Sequence, residues 1–188
     1  MSTTDQPTIL IVPGLRDHVP DHWQTLLQQE IPSAHAVPPM RENGLSCPAR
    51  VAAIEAALAR IDGPVILVAH SAGCLMTVHW AHAHRDTARR VRGALLVTPP
   101  DMHQSWPDKY PSPATLAEHG WRPLPAGRLP FRSLVAASSN DPLASLGAVR
   151  AMADEWGSAF VELGEVGHMN PGSGYGPWPL AHKLIALL

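Results

Sequence analysis

The apolar run Val65-Ile66-Leu67-Val68-Ala69 ends in His70-Ser71-Ala72-Gly73, and a segment of helical character follows at once. A run apolar nearly throughout suits a strand covered on both faces. A strand that passes into a helix across small-His-Ser-small-Gly has to turn within one or two residues. Such a turn strains the residue at its tip and tolerates only small neighbours where the helix crosses close to the strand. It presents the serine hydroxyl at the rim of the sheet, the layout of a nucleophile elbow. The usual pattern is Gly-x-Ser-x-Gly; Ala69 stands in the first glycine's place and still lacks bulk.

Five further strand-like runs accompany this one: Thr8–Val12, Ala34–Val37, Ala94–Thr98, Ser133–Ser138 and Ala159–Leu163. Helical patterns alternate with them. Trp23, Leu26 and Leu27 share a face after Asp21, read as an N-cap. Val51, Ile54, Leu58 and Ile61 repeat at helical spacing, as do Val149, Met152, Ala153 and Trp156 after Ser145. The last segment opens with Pro177 and Pro179, tolerated in a first helical turn, and carries Leu184, Ile185 and Leu188. The alternation predicts a compact three-layer α/β fold, about six mostly parallel strands with helices on both faces.

The length of 188 residues suits a single domain spanning 1–188. Pro99–Pro130 breaks the alternation: it holds eight of the twenty prolines, with Trp106, Tyr110 and Trp121. A long irregular connection after the fourth strand reads either as a small lid over a site or as a surface excursion stiffened by proline. Both readings stay open, and Trp106, Trp121 and Trp178 are the side chains expected above Ser71.

Composition removes several function classes. The net charge of −2 and the lack of a basic patch argue against nucleic acid as a partner. No apolar run approaches the roughly 20 residues that span a bilayer. The start, Met1-Ser2-Thr3-Thr4-Asp5-Gln6-Pro7, carries no Lys or Arg and does not read as a signal peptide. Cys47 and Cys74 form neither a disulfide framework nor a metal motif. A cytoplasmic location is expected. His79, His82 and His84 share a helical segment, but no Cys, Asp or Glu joins them at ligand spacing, so no metal is expected there.

A serine hydroxyl needs a base within reach, and that base needs an orienting carboxylate. Ser71 is followed in the chain by Asp141, in Ser138-Ser139-Asn140-Asp141-Pro142, and by His168, in Gly167-His168-Met169-Asn170. Each comes directly after its own strand, at the carboxyl edge where open α/β sheets bind ligands. The order Ser, Asp, His is that of an α/β-hydrolase. Asp101, after the fourth strand, is a competing acid for the same histidine. An oxyanion hole is expected from the N–H of Ala72 and a second N–H in Pro13-Gly14-Leu15-Arg16-Asp17, with Leu15 favoured and Arg16 the alternative. His70 is expected to pack or hydrogen-bond beside the site. His22-Trp23 shapes the pocket or staples the first helix. Cys74 reads as a core residue.

At Val12-Pro13-Gly14, His22-Trp23, Ala69-His70-Ser71-Ala72-Gly73, Pro99-Pro100-Asp101, Ser138–Pro142, Trp156-Gly157-Ser158, Gly167–Asn170 and Ser173–Pro179, the chain resembles the small serine hydrolases of the YdeN and retinoblastoma-binding-protein-nine family. The resemblance covers nearly the whole length. It implies a compact α/β-hydrolase fold and a Ser–Asp–His triad, here Ser71, Asp141 and His168. It supplies neither a substrate nor a protein partner. The expected function is a serine hydrolase of carboxylesterase type, cleaving small-molecule esters through an acyl-enzyme without cofactor or metal. The contrasting expectation is a binding module on the same fold with little or no turnover.

Overall fold

The computed structural model describes residues 6–188, so the first five residues of the polar N-terminal tail lie outside the described residues. Its centre is one six-stranded sheet in the order β2-β1-β3-β4-β5-β6. The strands are β1 (Thr8–Val12), β2 (Ala34–Ala36), β3 (Val65–His70), β4 (Val91–Val97), β5 (Arg132–Ala137) and β6 (Ala159–Glu162). All five pairings are parallel. The helices are α1 (Trp23–Glu30), α2 (Cys47–Leu58), α3 (Ala72–Ala83), α4 (Arg85–Ala88), α5 (Pro113–Leu116), α6 (Leu146–Trp156) and α7 (Leu180–Ile185).

Strand side chains alternate between two cores, as the two-residue period of a strand dictates. Leu10, Leu67, Ala69, Leu96 and Val135 point to one face, where α2, α3 and α6 supply Ile54, Leu75, Trp80 and Val149. Ile9, Ile66, Val68, Leu95 and Leu134 point to the other, where α1 and α7 supply Trp23, Leu27, Leu184 and Ile185. This is the three-layer α/β-hydrolase architecture. With both faces covered, β3 is buried at all six positions, which is why its sequence shows no polar alternation.

The strand order sets the place of the site. The chain leaves β1 for β2 on one side, then crosses back to β3 on the other. The loops after β1 and β3 therefore diverge, opening a crevice at the carboxyl edge between these two strands.

Some expected boundaries differ for local reasons. The N-cap of α1 is His22, not Asp21: its Nδ1 accepts the Gln24 N–H at 3.1 Å. The fourth strand stops at Val97, because Thr98 has left the extended region at φ +46°. The last helix starts at Leu180 behind Pro179 and excludes Pro177, since a residue preceding proline is driven out of the helical region. Ser145 caps α6 through its hydroxyl, which accepts the Ala148 N–H at 3.2 Å. No helix of the described residues is long and apolar enough to cross a membrane.

Candidate active site

Ser71 sits between β3 and α3 at φ +56° and ψ −130°, a conformation that L residues rarely adopt. A backbone bond holds it there. Its N–H donates to the Val97 carbonyl at 3.0 Å, extending the β3–β4 ladder by one residue. Its hydroxyl makes no capping bond to α3 and so stays free to face the crevice. Gly14 lies opposite, where an added Cβ would come within 3.3 Å of the Ser71 Cβ.

The three residues at distant strand ends converge. His168 Nε2 lies 2.8 Å from Ser71 Oγ. Its Nδ1 lies 3.0 Å from Asp141 Oδ1 and 2.9 Å from Oδ2. An acceptor-only carboxylate there places the imidazole proton on Nδ1 and leaves Nε2 to accept from the hydroxyl. His168 and Asp141 are buried, which shields the pair from competing water. Asp101 is placed otherwise: its Oδ1 accepts the His103 N–H at 2.8 Å, and it makes no bond to His168.

The supporting shell was not anticipated from the sequence. Asn140 Oδ1 accepts from the Gly167 N–H at 2.6 Å and from the Ser138 hydroxyl at 2.9 Å, tying the loop of Asp141 to the loop of His168. Ser173 Oγ accepts the His168 N–H at 3.0 Å. Gln24 Nε2 donates to the carbonyls of Val12 at 3.3 Å and Val68 at 2.9 Å, bridging the strands that flank the crevice. Arg50, buried on α2, donates to Asp17 Oδ1 at 2.8 Å, to the Gly44 carbonyl at 2.6 Å and to the Leu15 carbonyl at 3.1 Å. Together with the Asp17 N–H donating to the Gly14 carbonyl at 3.1 Å, this fixes the turn that carries Leu15 and Arg16. In a trans peptide the N–H opposes the carbonyl, so anchoring the Gly14 and Leu15 carbonyls also aims the N–H groups of Leu15 and Arg16. Ala72 opens α3, where a helical N–H has no partner within the helix. Both Leu15 and Ala72 line the cavity over Ser71.

Three imidazoles adjoin in a row along the cavity, each tilted against the next: the His22 and His70 centroids are 4.6 Å apart, and those of His70 and His168 are 5.1 Å apart. His70 Nε2–H donates to the His168 carbonyl at 2.9 Å, so His70 packs and braces. Burial, and then the neighbouring His168, push the His22 imidazole down to about 4. His70 is driven well below the usual range by burial first, then by His168 and His22. Both are therefore neutral near pH 7, and neither competes with His168 for a proton.

A stability consequence follows from His22. The unfolded chain protonates this side chain below its usual value near 6.5, whereas the folded protein does so only near 4. Between these values the unfolded state binds more protons, so stability rises with pH. The contribution is complete above 6.5 and is lost as pH falls to about 4, about 3 kcal/mol from His22 alone. Thermal unfolding between pH 4 and 7 should show the slope. His22→Asn, which keeps an oxygen to cap Gln24, should make it shallower, the buried His70 supplying what remains; an unchanged slope would refute the assignment.

The cavity above Ser71 measures about 190 Å³. Residues 100–111 form one wall through Pro100, Trp106, Lys109, Tyr110 and Pro111, and Asn170 and Pro171 form another. The remainder of Pro99–Pro130 packs elsewhere. Trp121, expected above Ser71, is instead fully buried in the core, its Nε1 donating to the Leu45 carbonyl at 2.6 Å. Trp178 is likewise away from the cavity, against Trp23 at 4.9 Å. Of the three tryptophans, Trp106 alone lines it.

Cys74 is fully buried with its thiol donating to the Val97 carbonyl at 3.4 Å, and burial pushes its pKa up. His79 bonds the Trp121 carbonyl at 3.2 Å. Among the described residues no group of three or more His, Cys, Asp or Glu is placed to hold a metal ion.

A family model described as serine hydrolase matches residues 9–187. The chain belongs to the serine hydrolase family. The enzyme is similar to a YdeN-like hydrolase from Pectobacterium atrosepticum, at 29% identity over 97% of this chain and 92% of that one, with a TM-score of 0.79. The ydeN gene product of B. subtilis shares the fold at 17% identity, covering 97% and 98% of the two chains, TM-score 0.73. Est1E from Butyrivibrio proteoclasticus, solved with ferulic acid bound, shares it at 11% identity over 98% and 91%, TM-score 0.66. No curated protein matches the chain by sequence.

Proposed function

We propose that this serine hydrolase is a carboxylesterase for small esters, with Ser71 as nucleophile, His168 as general base and acid, and Asp141 as the group that orients and charge-balances His168. The observation that carries the reading is the unbroken line from Ser71 Oγ to His168 Nε2 at 2.8 Å and from Nδ1 to Asp141 at 2.9 Å. Ser71 Oγ bonds to the ester carbonyl carbon as its proton passes to Nε2. The carbonyl oxygen gains the negative charge and takes N–H bonds from Ala72 and from Leu15, or Arg16 beside it. Collapse breaks the ester C–O bond, and the departing alkoxide takes the proton from Nε2. Water then attacks the acyl-enzyme, gives a proton to Nε2 and releases the carboxylic acid as Oγ regains it. Each step balances with water as the other reactant.

Cavity size supports small substrates. A void of about 150 Å³ accepts one benzene-sized group, so about 190 Å³ suits a short acyl chain or one ring rather than a long fatty chain. On this reading residues 1–188 act as one domain, with Pro99–Pro130 as an insertion whose first part walls the site.

A fluorophosphonate probe tests the nucleophile directly. Mass spectrometry of the digested adduct should place the label on the peptide containing Ser71 and on no other serine. A label on a different residue, or an active enzyme that takes no label, would overturn the assignment.

A further inference from the structure

Two cations stand at the mouth of the cavity without a partner. Arg16 and Lys109 both line it, and both are exposed. They come from different elements, the turn after β1 and the irregular segment after β4, yet converge on one ring. The Arg16 Cζ lies 5.9 Å from the Tyr110 centroid and the Lys109 Nζ 5.3 Å from it. Tyr110 itself meets the His168 ring edge-on at 5.8 Å, so the cations lie one aromatic ring beyond the imidazole. Neither enters an ion pair among the described residues. The one carboxylate in the cavity lining is Asp17, and Arg50 already occupies it at 2.8 Å. The mouth is thus a positive site on a protein whose net charge is −2.

We infer that the enzyme selects esters that carry a carboxylate a few bonds from the scissile carbonyl. The guanidinium offers a planar fork that matches a carboxylate, and the ammonium adds a second, mobile donor. Tyr110 restrains both by cation–π contact, and among the described residues neither cation is bound to a carboxylate that a ligand would have to displace. Arg16 also belongs to the turn that presents the second oxyanion donor. A carboxylate held by its side chain would therefore register the carbonyl against that turn. The inference rests on the esterase reading for the bond cleaved, but not for the anion.

The test compares 4-nitrophenyl hydrogen adipate with 4-nitrophenyl hexanoate, which share a six-carbon acyl chain and differ at its far end. The readout is the ratio of their kcat/KM values, so that any general loss in a variant cancels. In Arg16→Gln/Lys109→Gln the ratio should fall about tenfold from the wild-type value. Lys109→Gln alone, remote in sequence from the oxyanion turn, should give part of that fall. Raising salt from 0.05 to 0.5 M should lower the wild-type ratio several-fold, because exposed charges are screened. A ratio that drops less than threefold in the double variant overturns the inference while leaving the esterase intact. The Ser71→Ala protein separates the other failure. Its affinity for monoethyl adipate, read by NMR titration, should fall threefold or more on adding the double substitution, with a smaller change for ethyl hexanoate. If the wild type cleaves neither ester but this affinity pattern holds, the esterase reading fails and the carboxylate site stands.

Discussion

Ser71→Ala is expected to lower turnover of short 4-nitrophenyl esters by roughly a millionfold in kcat, the scale seen when the nucleophile of a serine hydrolase is removed. No other side chain is placed to replace it. Cys74, three residues on, is sealed in the core with a thiol whose pKa burial raises. The fold should survive, because the Ser71 hydroxyl caps nothing in α3 and its backbone is anchored through N–H and not through the side chain. Thermal unfolding of the variant should therefore stay close to wild type while activity vanishes. His168→Ala should cost a similar factor, and the double variant little more, because in the proposed mechanism the hydroxyl and the imidazole act as a unit. Steady-state kinetics on the three proteins decides it. A Ser71→Ala protein retaining a tenth of wild-type turnover would show that another residue carries the chemistry.

The elements that the sequence exposes are those whose signal is local. β3 and its turn are legible because a doubly covered strand must be apolar and a tight strand-to-helix turn must be small. Asp141 and His168 are legible as candidates because each comes shortly after a strand, in the chain order Ser, Asp, His. Asp101 satisfied the same local rule, and only tertiary placement separates it from Asp141: its carboxylate is turned back onto the His103 N–H. The supporting residues are hidden for a related reason. Gln24 bridges carbonyls 12 and 44 residues away, and Arg50 reaches Asp17 across 33 residues, distances that no spacing rule encodes. One trace of Arg50 does exist. It shares the buried stripe of α2 with Ile54 and Leu58, so a cation stands where the helical period calls for an apolar residue. A charge on a core-facing stripe implies a paired acid, and the short loop after β1 contains Asp17. The tryptophans show the opposite error. Aromatic residues in an irregular segment suggest a pocket lining, yet Trp121 is fully buried in the core, where the Leu45 carbonyl takes its Nε1–H.

Gly73→Ala should be among the most damaging single substitutions in the chain, although it adds one methyl group. A Cβ at this position would collide with the Val12 carbonyl oxygen and come within 2.8 Å of the Pro13 carbonyl oxygen. Both obstacles are backbone, and β1 is locked between β2 and β3, so neither can swing aside as a flexible side chain would. Relief requires α3 to lift from the sheet or the end of β1 to bend. The first opens the core around Leu75 and Val78, both fully buried. The second displaces the Gly14–Asp17 turn that Arg50 pins, and with it the N–H group proposed to hold the oxyanion. A loss above about 4 kcal/mol is expected, the range reserved for overpacked cores and backbone strain. Denaturant unfolding should show it as a large drop in midpoint or as failure to fold. Gly147→Ala supplies the control within the same protein. That glycine is the second residue of α6 with nothing within 4 Å of its would-be Cβ, so the change should be neutral or stabilise by up to about 0.5 kcal/mol through helix propensity alone. If the two substitutions behaved alike, the close crossing of α3 over β1 would be wrong, and with it the backbone geometry that holds Ser71 at positive φ.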